Sequence, residues 1–174
     1  MCLALGNAPV MAETPTPEAN GFRTSGQVSG YQGAFSDLAA EIDRFWVQVF
    51  RDNGKPYTQP GIVIVDRRIF TACGPIDPEP NAFYCPDDRT IYLVPQFLVD
   101  LETDFGDYAP VTVLGHEWGH HVQELLGLRK VKPIPFELQA DCLTGVFARH
   151  AQDANLLDAD DISDPQRFAK QLPL

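Results

Sequence analysis

Apolar residues recur at helical spacing in several segments of the chain. In FSDLAAEIDRFWVQVF they return every three or four positions, which predicts an amphipathic helix that ends near Asn53 and Gly54. The same period predicts a short helix in PQFLVDLETDFG and a last helix in DPQRFAKQL. It also predicts two longer helices, YAPVTVLGHEWGHHVQELLGL with Gly127 as its cap and FELQADCLTGVFARHA. We expect the apolar side of the second long helix to consist of Leu138, Cys142, Val146 and Phe147.

Short β-branched and aromatic runs predict strands between these helices. GIVIVD is short enough for one strand, and AFYC and TIYLV on either side of PDDR predict a hairpin. The fold class is therefore α+β, mainly helical with a small mixed or antiparallel sheet. Residues 1–33 are rich in Gly, Pro, Ser, Thr and Asn and show no sustained period. We interpret them as a flexible tail or a signal or linker remnant, followed by one domain over 34–174.

Composition and charge narrow the classes of partner. The chain is 44% apolar and carries a net charge of −11, which indicates a globular protein and argues against nucleic acid or anionic lipid as a partner. No segment approaches the roughly 18 uninterrupted apolar residues of a membrane helix, so we expect no transmembrane span in this chain.

Cys73 and Cys85 enclose a Pro- and Gly-rich loop, CGPIDPEPNAFYC. A loop of this kind favours a disulfide between them, and with it an extracytoplasmic location: periplasm, cell envelope or secretion. The alternative is a pair of free thiols, which would fit a cytosolic protein better.

The helix that contains HEWGH carries the strongest chemical signal. Residues four apart lie on the same face of a helix, so His116 and His120 can direct two imidazoles at one metal ion. Glu117 follows the first histidine and lies beside such an ion, where it can take a proton from a water. Apolar neighbours surround the motif, and buried polar side chains need a partner of this sort.

A catalytic zinc has three protein ligands and one open position. Glu137 of ELQAD is far enough beyond His120 for a loop and a returning helix, so we expect it to be the third ligand of one Zn²⁺ per chain. Asp141 is four residues further and lies on the same face, where it could accept the free N–H of a ligating imidazole. For an unselected pair of acids at this spacing, an exposed helix surface is the default.

These motifs resemble known families. HEWGH followed by ELQAD is similar to the gluzincin arrangement, in which two histidines and a downstream glutamate bind zinc. GHEWGHHVQELLGL, FELQADCLTGVFA and FYCPDDRTIYL resemble more narrowly the bacterial family of neutral zinc metallopeptidases, over about residues 34–165. The resemblance implies a zincin-like fold with HExxH on its active-site helix, and a zinc-dependent peptidase with ligands His116, His120 and Glu137 and with Glu117 as base and acid. It also implies a further C-terminal segment with a run like H-G-[ST]-x-x-Q-R, whereas this sequence ends at AKQLPL.

The expected function is hydrolysis of peptide or protein substrates through a water activated by zinc and Glu117. Zincins commonly hold substrate as an extra strand along a sheet edge, and TIYLV is the predicted edge. Tyr92 and Tyr108 are candidate substrate-binding residues. Two alternatives are open: a non-catalytic zinc-binding interaction module, and a metal-free structural domain of the envelope.

We expect two further residues of the HEWGH helix to have structural roles. His121 is rotated by about 100° from His120 around the helix, so we expect it to be hydrogen-bonded in the structure and not to bind the metal. Gly119 is expected to allow a neighbouring element to approach closely.

Overall fold

A computed structural model describes residues 22–24, 32–79, 81–106, 108–128 and 133–156. The predicted helices within these ranges are confirmed. They are α1 (Gln32–Asp52), α2 (Pro95–Phe105), α3 (Tyr108–Leu125) and α4 (Pro133–Asp153). The helix predicted in DPQRFAKQL lies outside the described residues. None of the described helices combines the length and hydropathy needed to cross a bilayer.

The predicted helix ends are those the structure shows. Asn53 Nδ2 donates to the Val49 carbonyl oxygen at 2.8 Å, and Gly54 follows with a φ of +63°. At the end of α3, Gly127 has a φ of +71°, a left-handed conformation that glycine adopts without steric cost. The backbone N–H of Leu128 then reaches back to the Gln123 carbonyl oxygen at 2.9 Å, so the chain turns sharply away from α3.

One mixed sheet contains four short strands: β1 (Phe22–Thr24), β2 (Gly61–Ile64), β5 (Ala82–Cys85) and β6 (Thr90–Leu93). Their order across the sheet is β1-β2-β6-β5. The first two strands and β6 run parallel, and β5 pairs antiparallel with β6 with Ala82 opposite Leu93. This confirms the α+β class and the hairpin of AFYC and TIYLV.

The prediction that TIYLV forms the sheet edge was wrong, because β6 pairs with β2 on one side and with β5 on the other. Its Ile91 and Leu93 are fully buried, as expected for a strand with neighbours on both sides. The edge next to α3 is β5. Alternation alone did not reveal this, since both strands of a hairpin show similar apolar patterns.

Two features were not predicted from composition. Phe22–Thr24 lies within the predicted tail, yet it adds a parallel strand to the sheet. A second hairpin pairs β3 (Ile69–Thr71) with β4 (Gly74–Ile76), and β4 lies at the start of the Pro- and Gly-rich loop. The predicted disulfide between Cys73 and Cys85 is present and joins the turn of this hairpin to the end of β5.

The predicted apolar side of α4 was partly wrong. Phe147 is buried, but Leu138 is 59% exposed, and Cys142 is half-buried and disulfide-bonded. The buried residues of α4, several of which are small, include Ala140, Leu143, Thr144, Phe147, Ala148 and Ala151. Ala140 and Thr144 of this buried stripe lie against α3, and Phe147 contacts Phe45 of α1. Two stripes of α4 have apolar character, and the contact with α3 selects the one whose small side chains permit a close approach.

Glycines set the distance between α3 and α4. A Cβ atom on Gly119 would lie 2.9 Å from the Ala140 carbonyl oxygen and 3.0 Å from its Cα, which confirms the close approach expected there. One turn earlier, a Cβ atom on Gly115 would lie 2.9 Å from Thr144 Cγ2. The two backbones are therefore in near contact at Gly119, and at Gly115 a side chain of α4 fills the space.

A buried chain of hydrogen bonds attaches α1 to α3. The Trp118 indole Nε1–H donates to the Tyr57 hydroxyl at 3.0 Å, and that hydroxyl donates to Asp43 Oδ1 at 2.7 Å. Burial raises the pKa of Asp43, and the Tyr57 hydrogen bond and the charge of Arg44 oppose the shift only in part. The ionised carboxylate is therefore less stable here than in water.

We expect Gly119→Ala to lower the free energy of unfolding by about 1–3 kcal/mol, because the new methyl group meets backbone atoms of α4 that cannot move independently. Gly145→Ala is the matched control, since a Cβ atom there has no heavy atom within 4 Å. This control should raise stability by about 0.5–1 kcal/mol through helix propensity. Urea titrations measure both, and equal effects of the two variants would contradict the close contact.

Asp43→Asn removes the ionisable group and keeps an oxygen acceptor for Tyr57. Because the pKa of Asp43 is raised in the folded state, folding favours the protonated carboxyl group. The protein therefore loses stability as the pH rises above 3.8, the pKa of this group in the unfolded chain. We therefore expect the variant to gain stability relative to the wild type between about pH 3 and about pH 7. Urea titrations at both values test this, with Asp37→Asn on the exposed side of α1 as control. A pH-independent difference would refute the burial effect.

Candidate metal centre

Three predicted ligands come together in the structure. The ligand atoms of His116, His120 and Glu137 all lie within 4.8 Å of one another, and each residue is half-buried. Glu137 Oε2 is 3.2 Å from the Nε2 atom of each histidine. A single carboxylate oxygen therefore faces both imidazoles at once.

Helix geometry explains how the three groups meet. His116 and His120 occupy successive turns of one face of α3, and their ring centroids are 4.6 Å apart with an interplanar angle of 88°. Glu137 belongs to the start of α4, which crosses close to α3 at Gly119. The near contact of the two backbones is what brings the carboxylate within reach of both rings.

Each imidazole has a hydrogen-bond partner on its other nitrogen. Asp141 Oδ1 lies 2.8 Å from His116 Nδ1, and Gln123 Oε1 lies 2.9 Å from His120 Nδ1. Acceptors at both Nδ1 atoms leave both Nε2 atoms directed at Glu137. Asp141 thus lies where the sequence leads us to expect it, and its role in orienting a ligand stays a prediction.

The surrounding charges alter the protonation of His116. Burial lowers the pKa of this imidazole, but the Asp141 hydrogen bond and the negative charges of Glu117, Asp141 and Glu137 outweigh it, so the net shift is upward. Three nearby carboxylates therefore favour positive charge at this position, whether it is a proton or a metal cation.

The donor set fits a zinc ion. Two imidazole nitrogens and one carboxylate oxygen are a ligand combination of catalytic zinc sites, which hold three protein ligands. Separations of 3.2 Å between the carboxylate oxygen and each nitrogen are compatible with bonds of about 2.0–2.2 Å to one shared ion. The half-buried position leaves one side of the cluster accessible.

Glu117 lies next to the cluster but is not one of its members. It is 8% exposed, and burial raises the pKa of its carboxyl group. The charges of His116 and His120 and a hydrogen bond from the Tyr84 backbone N–H oppose this shift without cancelling it. The carboxyl group is thereby held between the histidines of α3 and the edge strand β5.

The backbone of β5 alternates in direction. The Val94 N–H donates to the Asn81 carbonyl oxygen at 3.0 Å, so the backbone N–H and C=O groups of residue 81 point towards β6. The backbone groups of every second residue after it point the same way. Ala82 and Tyr84 therefore direct their backbone groups away from β6. This direction agrees with the hydrogen bond from the Tyr84 N–H to Glu117.

His121 has the structural role predicted for it. The ring is completely buried, with Nδ1 3.0 Å from the Tyr84 hydroxyl and Nε2 2.7 Å from the Thr58 carbonyl oxygen. Burial lowers its pKa to about 4. Because the Thr58 carbonyl can only accept, Nε2 carries the proton, and the neutral ring joins α3 to the loop before β2.

The two candidate substrate tyrosines lie in different surroundings. Tyr92 is 7% exposed, its hydroxyl donates to Asp88 Oδ2 at 2.8 Å, and burial raises its pKa to about 12. Tyr108 is half-buried at the first residue of α3, two turns before His116. A substrate-binding role for either residue stays a prediction.

Sequence reasoning did not identify Gln123, Tyr84 or Phe136, although each contacts a predicted site residue. The Phe136 ring stacks on His120 with centroids 5.1 Å apart and an interplanar angle of 20°. Gln123 lies one turn after His120 on a largely apolar helix, and that spacing was the available signal for a partner of the ring. The Tyr84 contact comes from its backbone, for which side-chain patterns contain no signal.

Comparison with known proteins identifies relatives of this chain. The protein YpfJ of Escherichia coli K12, described as uncharacterized, is 33% identical over 155 residues, which are 79% of this chain and 54% of YpfJ. The uncharacterized protein Mb2605 of Mycobacterium bovis is 38% identical over 109 residues, 55% of this chain and 37% of that protein. The chain thus spans about half the length, or less, of these curated relatives. No solved structure matches it significantly.

The family comparison agrees with the geometry of the cluster. The model of a family described as putative neutral zinc metallopeptidase matches residues 5–134, which include the HEWGH motif of α3. The match covers well over half of the chain. The chain therefore belongs to the putative neutral zinc metallopeptidase family.

Proposed function

We propose that this chain is a zinc-dependent metallopeptidase domain with a zincin-like fold. The observation that carries the proposal is the convergence of His116, His120 and Glu137, with Glu117 buried beside them. The family description supports the same chemistry. The chain matches about half the length of YpfJ. Catalytic activity and substrates are therefore proposed for this chain and are not taken from its relatives.

The three converging residues would hold one Zn²⁺ per chain. Zinc supplies a Lewis acid that polarises a carbonyl group and lowers the pKa of water. The protein's contribution is to keep both Nε2 atoms unprotonated and aimed at the ion. Asp141 and Gln123 do this by accepting hydrogen bonds from the opposite nitrogens.

Glu117 would act as general base and then as general acid. A general base is most effective when its pKa lies near the working pH, and burial moves the pKa of Glu117 upward in that direction. The carboxylate removes the proton from the attacking water and then transfers it to the leaving amine. The Tyr84 N–H keeps the carboxyl group oriented during both transfers.

The edge strand β5 would bind the substrate backbone. Ala82 and Tyr84 direct backbone groups away from β6, but the Ala82 N–H donates to Asn81 Oδ1 at 2.9 Å and the Tyr84 N–H donates to Glu117. An extended peptide that adds to this edge as a further strand would therefore pair with it through the Ala82 carbonyl oxygen. This binding places the peptide along the strand that also contacts Glu117. We therefore propose β5, and not β6, as the substrate strand.

An extracytoplasmic location is a further part of the proposal. The Cys73–Cys85 disulfide persists in oxidising compartments such as the periplasm or the exterior of the cell. Because the cross-link joins the β3–β4 turn to β5, it also stabilises the strand proposed to bind substrate.

Zinc binding should be stoichiometric and should depend on the cluster. We expect one zinc per purified chain by elemental analysis, and free zinc at a hundred times its Kd should add about 2.7 kcal/mol to the free energy of unfolding. His116→Ala should lose both effects, whereas His150→Gln, at the far end of α4, should keep them. Zinc binding that survives His116→Ala would refute the proposed ligand set.

Peptide cleavage should depend on Glu117. Glu117→Gln removes the proton acceptor and leaves the three ligands in place, so we expect unchanged zinc content and a rate lower by about 10²–10⁴-fold. Glu124→Gln on the same helix is the control and should retain activity. Cleavage of a peptide library, with and without chelator, measures this. Full activity of Glu117→Gln would favour a non-catalytic zinc-binding domain with a contaminating peptidase.

A further inference from the structure

Gln123 is completely buried one turn after His120, and its amide makes three contacts. Oε1 lies 2.9 Å from His120 Nδ1, and Nε2 lies 2.7 Å from the Phe136 carbonyl oxygen and 3.1 Å from Gln139 Oε1. We propose that Gln123 is a positioning residue of the metal centre, which fixes the tautomer of His120 and ties its ring to the start of α4. The inference rests on the zinc-binding function proposed above.

The orientation of the Gln123 amide follows from its partners. A backbone carbonyl has no proton to donate, so the amide NH₂ group must be the one that faces Phe136. The second hydrogen of that NH₂ group points to Gln139 Oε1. The oxygen of the amide is therefore the atom that faces His120.

This orientation dictates the tautomer of His120. An amide oxygen can only accept, so His120 Nδ1 must carry a proton, and in the neutral imidazole Nε2 then keeps its lone pair. The lone pair is directed at Glu137 Oε2, 3.2 Å away, where the metal would bind. Because Phe136 stacks on the same ring, the imidazole has little freedom to rotate away from this position.

The same side chain also couples the two helices of the site. Phe136 directly precedes Glu137, so the bond from Gln123 to its carbonyl holds the backbone next to the third ligand. One amide on α3 thus sets both the proton position on His120 and the approach of Glu137. Asp141 contacts His116 in the corresponding way, but its carboxylate is exposed and is supplied from α4.

A general structural role would have a different consequence. If Gln123 only packed and formed hydrogen bonds in the protein interior, zinc affinity would fall in step with stability in every variant. If it is a positioning residue, affinity follows the acceptor that faces His120, whatever happens to stability. Two substitutions separate these cases.

Gln123→Leu has a similar volume but removes the acceptor. We expect it to shift His120 away from the Nδ1–H tautomer in the metal-free protein, and to raise the zinc Kd by about 10–100-fold. Long-range ¹H–¹⁵N correlation spectra at about pH 8 report the tautomer, and competition with a chromophoric chelator gives the Kd. Gln139→Leu is the control, because it removes one partner of the NH₂ group without contacting His120.

Gln123→Glu keeps an oxygen that faces His120 and loses the donor to Phe136. We expect this variant to lose stability in urea but to retain the Nδ1–H tautomer and a Kd close to the wild type. Equal loss of affinity in both variants, or an unchanged Nδ1–H tautomer and Kd in Gln123→Leu, would overturn the proposal. If the wild-type protein bound no zinc, the proposed function would fail, and the tautomers of the metal-free variants would still decide the role of Gln123.

Discussion

The near contact between α3 and α4 is the constraint on which the rest of the site depends. At Gly119 there is no room for a side chain, because the α4 backbone at Ala140 occupies that space. Only at this separation does a carboxylate from the start of α4 lie 3.2 Å from both imidazoles of α3. A site of this type must be held to within about half an ångström, so small residues on both helices are as necessary to it as the ligands.

Placing so many polar groups inside the fold is costly unless each one has a partner. Among the residues that the structure describes, no buried side-chain nitrogen or oxygen lacks a hydrogen bond. His121 and Gln123 are both fully buried, and each donates to a backbone carbonyl in a neighbouring segment. These bonds fix the rotation of α3 about its own axis, which apolar packing alone would leave less well defined.

Sequence patterns predicted mainly the parts of this arrangement that are local to one helix or strand, and they predicted few of the contacts between elements. Helical period and spacing predicted α3, its glycine cap and the shared face of His116 and His120, because these are local properties of one helix. The predicted third ligand, Glu137, could be named because its position along the chain fitted a returning helix. The buried stripe of α4 and the pairing of β6 depend on contacts between elements, and Leu138 shows that local apolarity does not decide them.

The residues that sequence patterns missed share a physical property: they act through backbone groups or through both ends of one side chain. The N–H of Tyr84 contacts Glu117 while its hydroxyl contacts His121, so one residue of β5 touches α3 at two successive turns. No side-chain pattern distinguishes such a residue from an ordinary aromatic strand residue. The double contact fixes the distance between the edge strand and the proposed base. A peptide added to β5 would consequently be held in fixed relation to Glu117, because the same strand residue contacts that carboxyl group and the helix that carries it.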